Sequence, residues 1–170
     1  MDTYLAIASR RDNDPSDARP LEPDVTERIL DAGRLAGSAG NRQRRRFVVV
    51  ESEDARERLA EAVFEPGNVR NAGLVVAVVV PDGRMPLFDA GRAAQNMLLA
   101  AWNDGIDATP NGLEDADAAR EILEIAEGEA VAIVLSFGRP SHPREPERRD
   151  AADWSARANR KPLAELVERR

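Results

Sequence analysis

The sequence contains no cysteine. That excludes disulfides and thiolate metal sites and makes a reducing cytoplasm the expected compartment. Its single histidine, His142, lies in a proline-rich stretch, so a histidine-based triad and a multi-histidine metal centre are both excluded. Aromatic residues amount to 4%, too few for the stacking platforms that grip single-stranded nucleic acid. Lys and Arg number 24 against 31 Asp and Glu, a net charge of −7, and a surface of that sign does not attract phosphate backbones. No apolar run approaches membrane-spanning length, no signal-peptide pattern opens the chain and no internal repeat is visible, so no membrane association is expected.

What is present is a globular balance, 42% hydrophobic and 32% charged over 170 residues. That length suits one domain with a substantial core, and residues 139–170 read as an extended C-terminal arm. A short helix is expected over Tyr4–Arg11, with Tyr4, Leu5, Ile7 and Ala8 as its apolar side, followed by a polar connector from Asp12 to Pro20. Pro23 and Asp24 open a second helix, and Val25, Ile29, Ala32 and Ala36 recur at helical spacing. A strand is expected from Arg46 to Glu51, then a helix capped by Ser52 and stopped at Glu65–Asn68. Leu74–Val80 is a continuous Val-rich run, the pattern of a central strand buried on both faces. Leu87–Asp104 is the longest predicted helix, apolar nearly all round, which implies burial partly in a subunit interface. Ile106–Leu113 reads as a Gly-Pro loop, Glu114–Ala126 as an amphipathic helix, and Ala130–Phe137 as a third strand. In Arg160–Val167 a basic pair precedes an apolar hook of three positions, the pattern of a tail that docks on something.

The stretch Leu35–Phe47 organises the rest. Its glycines, Gly37 and Gly40, admit positive φ and close backbone approach, and Ser38, Asn41 and Gln43 supply donors and acceptors there. Such a loop suits a flat polar heterocycle or a phosphate, and it equally suits a helix-ending glycine turn with solvated side chains. Arg44, Arg45 and Arg46 could touch nucleic acid, but the acidic whole argues against it.

The order of these signals resembles the flavin-dependent nitroreductase family in compact form, over nearly the whole chain. An Arg-Arg helix end is followed by Ser-Ala-Gly-Asn-x-Gln before a Phe-Val-Val-Val strand. An Ala-rich helix with Asp89, Gly91, Ala94, Gln95 and Asn96 precedes a Pro-Asn-Gly loop. A strand ending in Phe-Gly-x-Pro leads to Arg-Lys-Pro-Leu-x-Glu-Leu-Val. The resemblance implies an α+β fold, a three-layer sandwich with a mainly antiparallel sheet flanked by helices, built as an intertwined homodimer with FMN in the interface. By position, Arg10 and Arg11 resemble the residues that hold phosphate and ribityl groups. Ser38, Ala39, Gly40, Asn41 and Gln43 resemble the loop that reaches the flavin from the partner chain. Pro110, Asn111 and Gly112 resemble the loop that faces the isoalloxazine, where a backbone N–H meets N5, and Arg160 with Lys161 resembles the C-terminal phosphate contact. The implied activity is NAD(P)H oxidation with ping-pong hydride transfer to an electron-poor acceptor, a nitroaromatic or quinone. No catalytic side chain is expected, because the cofactor carries the chemistry.

The chain departs from the family pattern at two places. Asp12 and Asp14 replace a serine and a basic residue, and acids beside a phosphate repel it. Arg44 and Arg45 replace Pro-Trp after the loop glutamine. Weaker or altered FMN binding follows from these changes, and the alternative reading is a flavin-fold binding or interaction protein without catalysis. The 64–73 segment looks short, which implies a reduced lid.

Overall fold

A computed structural model describes all 170 residues. They form two compact units, one of residues 12–143 and one of Met1–Arg11 with Arg144–Arg170.

The larger unit is built on a four-stranded antiparallel sheet: β1 (Arg46–Val49), β2 (Leu74–Pro81), β3 (Asp107–Asn111) and β4 (Glu129–Gly138), in spatial order β1-β2-β4-β3. The Val-rich run is the central β2, buried along nearly its whole length as its composition implies. Its side chains alternate between two cores. Leu74, Val76, Val78 and Val80 face one cluster with Ile29, Ala94, Met97, Leu135 and Phe137. Val75, Ala77 and Val79 face the other, with Leu59, Val63, Val69, Ala119 and Val134. Helices α2 (Pro23–Arg34) and α5 (Arg84–Asn103) cover the first face, and α3 (Glu53–Ala60), α4 (Pro66–Arg70) and α6 (Ala116–Ile122) cover the second. The result is the expected three-layer α+β arrangement. In β4 the register passes from Val78↔Ile133 to Val79↔Val131, leaving Ala132 as a bulge. The bulge is why Val131 and Val134 reach the same core although they are three residues apart.

Several elements differ from the sequence reading. Ile106–Leu113, expected as a loop, contains the edge strand β3, whose Pro110 pairs opposite Leu135. An edge strand tolerates proline because its outward side has no ladder bond to lose. Helix α3 ends at Ala60, and the Glu65–Asn68 stretch expected to stop it opens the short α4, since Pro66 takes the first-turn position where its missing N–H costs nothing. Helix α5 starts at Arg84, before Leu87, with Pro86 again inside the first turn. It buries one face through Ala90, Ala93, Ala94, Met97, Leu98, Ala101 and Trp102 and leaves Met85, Leu87 and Phe88 exposed. The connector after Asp12 is tied down: Asn13 N–H donates to Ala108 O, its Nδ2 to the buried Asp107, and Ser16 Oγ to Arg139 O. It thereby covers part of the β3 edge.

The smaller unit pairs α1 (Thr3–Ser9) with α7 (Ala151–Arg157), followed by the short turn α8 (Leu163–Leu166). Asp2 caps α1, accepting from Tyr4 and Leu5 N–H at 2.9 and 3.0 Å, and Asp150 caps α7. Helix α1 stops at Ser9, with Arg10 in extended backbone as its cap. Trp154 anchors the pair: its Nε1 donates to Pro146 O at 2.7 Å, and the guanidinium groups of Arg149 and Arg11 lie 5.2 and 5.6 Å from its ring centroid. Leu163, Leu166 and Val167 of the hook are all exposed. No helix of the chain is long and apolar enough to cross a membrane.

Candidate functional site

In the smaller unit, residues from the two ends of the sequence meet. Arg10, Arg11 and Arg160 line one cavity of about 260 Å³ with Tyr4, Ile7, Ala8, Ser155 and Ala158. Arg11 is held rigidly there. Its Nη1 donates to Ala8 O and Arg10 O, both at 2.8 Å, and its Nη2 to Trp154 O at 3.1 Å, so it closes the C-terminal end of α1. The cavity thus combines three guanidinium groups with an apolar wall, a donor set suited to a phosphate joined to a carbon chain. Lys161 is exposed and does not line it. Asp12 and Asp14 are exposed and do not line it either.

In the larger unit, the loop after α2 turns through Ala39–Asn41. Gly40, Asn41 and Gln43 have φ of 56°, 52° and 50°. Asparagine and glutamine pay for that conformation where glycine does not. The turn is closed by Gln43 N–H donating to Ser38 Oγ at 2.9 Å and Asn41 N–H donating to Ser38 O at 3.0 Å. Ala39 N–H donates to Asp89 Oδ2 at 3.1 Å. Ser38 and Ala39 are half-buried, while Gly40, Asn41 and Gln43 are exposed.

The two arginines at the Pro-Trp positions have separate fates. Arg44 is exposed. Arg45 turns back on α2, donating to Gly33 O at 3.3 Å, Arg34 O at 2.9 Å and Ala36 O. Burial lowers the Arg45 pKa from its ordinary value, and the negative charge of Asp89 opposes that shift. Its cation is therefore spent on a helix C-terminus, where the macrodipole favours it. Nothing in sequence spacing announced this, because the accepting carbonyls are set by where the loop returns.

The third expected group sits at the end of β3. Pro110 and Gly112 are exposed, whereas Asn111 is buried. The Asn111 amide donates to Ser136 Oγ at 2.9 Å, Val134 O at 3.2 Å and Thr109 O at 3.4 Å. Its side chain is thus part of the sheet, and the exposed surface here is backbone. Gly112 O accepts from Phe64 N–H at 3.2 Å, and the Phe64 ring lies 3.1 Å from where a Gly112 Cβ would stand. Phe64, which the sequence reading did not single out, is 64% exposed. An aromatic so exposed beside a glycine backbone is a flat contact surface. Its signal in the sequence was an aromatic in a chain that has few.

The Nitroreductase family model matches residues 7–82 and 80–139. The chain belongs to the nitroreductase family. It is an oxidoreductase by that membership. A relative from Archaeoglobus fulgidus, provisionally named an NADH dehydrogenase/NAD(P)H nitroreductase, is 33% identical over 133 residues, 72% of this chain and 76% of the relative. A relative of the same name from Methanothermobacter thermautotrophicus is 29% identical over 162 residues, 90% of this chain and 84% of its own. Among solved structures, a Clostridium difficile nitroreductase-family protein superposes with TM-score 0.82 at 24% identity, over 99% of this chain and 98% of that one. A provisionally named Desulfovibrio desulfuricans nitroreductase in complex with FMN superposes with TM-score 0.80 at 25% identity, over 100% and 98%.

Proposed function

We propose that this nitroreductase-family chain is an FMN-dependent NAD(P)H oxidoreductase acting on small electron-poor acceptors, and that it works as a homodimer. One observation carries the reading: Arg10, Arg11 and Arg160, far apart in sequence, line one cavity. The donor set there fits the phosphate end of FMN, bidentate guanidinium being the natural partner of phosphate oxygens, and Lys161, next to Arg160 in the sequence, adds a further cation for it. The exposed backbone at Pro110–Gly112 and the exposed Phe64 ring, which packs against Gly112, together offer a flat surface that fits the isoalloxazine. In this reading the 38–43 loop serves the flavin of the partner copy, and the two compact units belong to one nitroreductase domain.

The chemistry supplied by bound FMN is acceptance of a hydride from NAD(P)H and, after the nicotinamide leaves, its delivery to a nitroaromatic or quinone in ping-pong order. The chain's own residues have simpler tasks. The arginines hold the phosphate, the Gly112 backbone presents a polar edge to the ring, and Tyr4 and Ile7 give the cavity its apolar wall. No side chain acts as a nucleophile. The homodimer is supported by the large exposed apolar residues Leu35, Met85, Leu87 and Phe88 in one unit and Tyr4, Ile7, Leu163 and Leu166 in the other, which a partner copy would cover.

The test is anaerobic stopped-flow absorbance of the FMN-loaded protein. Mixing with NADH or NADPH should bleach the flavin bands, and a quinone added afterwards should restore them. Flavin that is bound but never bleached by either nucleotide would instead support a binding protein without catalysis.

A further inference from the structure

The 37–43 segment is gripped from outside by two residues of α5. Asp89 Oδ2 accepts the Ala39 N–H at 3.1 Å. Arg92, one turn along the helix, stands 4.0 Å from the other carboxylate oxygen. Its guanidinium lies against Gly37 so closely that a Cβ there would be 2.5 Å from Nη2 and 3.1 Å from Cζ. The Phe88 ring, 5.9 Å from the guanidinium carbon, backs the same group. One carboxylate–guanidinium pair on a twenty-residue helix therefore touches the chain on both sides of Ser38.

The grip has a physical reason. Three residues of the segment hold positive φ, two of them not glycine, and such a backbone persists only where its surroundings impose it. Its internal bonds close the turn but do not fix where the turn sits. Asp89 does that from a rigid element. The carboxylate is held in reserve of further partners: Oδ1 is buried and makes no hydrogen bond, and a cavity of about 60 Å³ beside it is lined by Ala39, Arg42, Arg44 and Arg45. Surrounding cations and a backbone N–H compensate a carboxylate that is mostly withdrawn from water.

We infer that Asp89 and Arg92 are positioning residues, which set the 37–43 segment in the conformation that meets the cofactor. The inference rests on the flavin reading given above, in which this segment is a flavin contact.

The test compares FMN affinity, read by quenching of flavin fluorescence, with amide exchange at Ala39, in wild type, Asp89→Ala and Asp89→Asn. Loss of a hydrogen bond to a charged acceptor weakens binding about tenfold to a hundredfold, so Asp89→Ala should raise the FMN Kd by about that factor and speed Ala39 exchange. Asparagine keeps an acceptor oxygen for the Ala39 N–H, and Asp89→Asn should restore affinity to within about threefold and restore slow exchange. A general packing defect would not be rescued in this way, so an asparagine variant as weak as the alanine variant overturns the inference. So does an Asp89→Ala protein that binds FMN as tightly as wild type. A wild-type protein that binds no FMN at all overturns instead the flavin reading beneath it, and the two failures are thereby told apart.

Discussion

Replacing Arg45 with alanine removes the guanidinium that closes the C-terminal end of α2. Three carbonyls lose a charged donor, those of Gly33, Arg34 and Ala36. A hydrogen bond to a charged group contributes about 1.5–3 kcal/mol, but the three do not add. They come from one guanidinium on one helix end, Arg45 is only half-buried, and water can reach the freed oxygens. A cation in favourable, partly buried geometry at a helix C-terminus contributes up to about 2 kcal/mol, and that is the loss expected for Arg45→Ala. For a chain of this size each kcal/mol moves the melting point by about 2–4 °C, so the variant should melt about 4–8 °C below wild type. Arg45→Lys keeps a point charge without the planar fork and should lose about half as much. Urea denaturation followed by far-ultraviolet circular dichroism is the assay, with an unchanged slope showing that the native and denatured states are comparable. A loss under about 0.5 kcal/mol, the range of an ordinary surface substitution, would refute the capping role.

Three further outcomes follow from packing and charge. Gly73→Ala places a Cβ against the Arg19 carbonyl oxygen, which cannot rotate away, and should cost about 2 kcal/mol in a urea melt; a variant as stable as wild type would show that the connector yields. Phe137→Ala empties the largest fully buried position and should cost about 3–5 kcal/mol, measured in the same way. Arg139 donates to Glu22 at 2.6 Å, and that bond holds the Glu22 carboxyl below its ordinary pKa. A depressed folded pKa contributes stability above the ordinary carboxylate range, and that stability is lost as pH falls through the folded value. The melting-point deficit of Glu22→Gln at pH 7 should therefore shrink as pH falls below the ordinary carboxylate range and vanish once it is below the folded value, whereas a deficit constant with pH would contradict the ion pair.

The parts of this molecule that were legible in the sequence are those whose side chains report a local environment. The run Leu74–Val80, short and rich in Val, reads as a strand buried on both faces, and it is a central strand of the sheet. The caps Ser52 and Asp150 are of the same local kind, although only Ser52 was read from sequence. Elements whose evidence lies in a distant partner were not legible. Strand β3 carries Pro110 and runs out into Gly112, loop residues by composition, and becomes a strand because β4 offers it an edge. Helix α7 has Trp154 as its one large apolar side chain, and that residue reveals itself only through Arg11, Arg149 and Pro146. At the site, the arginine pair near residue 10 and the basic pair at 160 each look like solvated surface in isolation. The meeting of Arg10, Arg11 and Arg160 around one cavity is a product of the fold. Asp89 belonged to the recognised pattern of α5, but its role as acceptor for Ala39 depends on a loop fifty residues earlier in the chain.

The visible absorption spectrum of the purified full chain, taken after loading with FMN and desalting, tests the central claim most directly. Flavin bands should be retained in near-equal ratio to the chain. Arg10→Ala and Arg160→Ala should each lose much of that signal, because each removes a phosphate donor from the cavity. A protein that keeps no flavin, or one whose retention ignores both arginines, would contradict the assignment of this cavity to the cofactor.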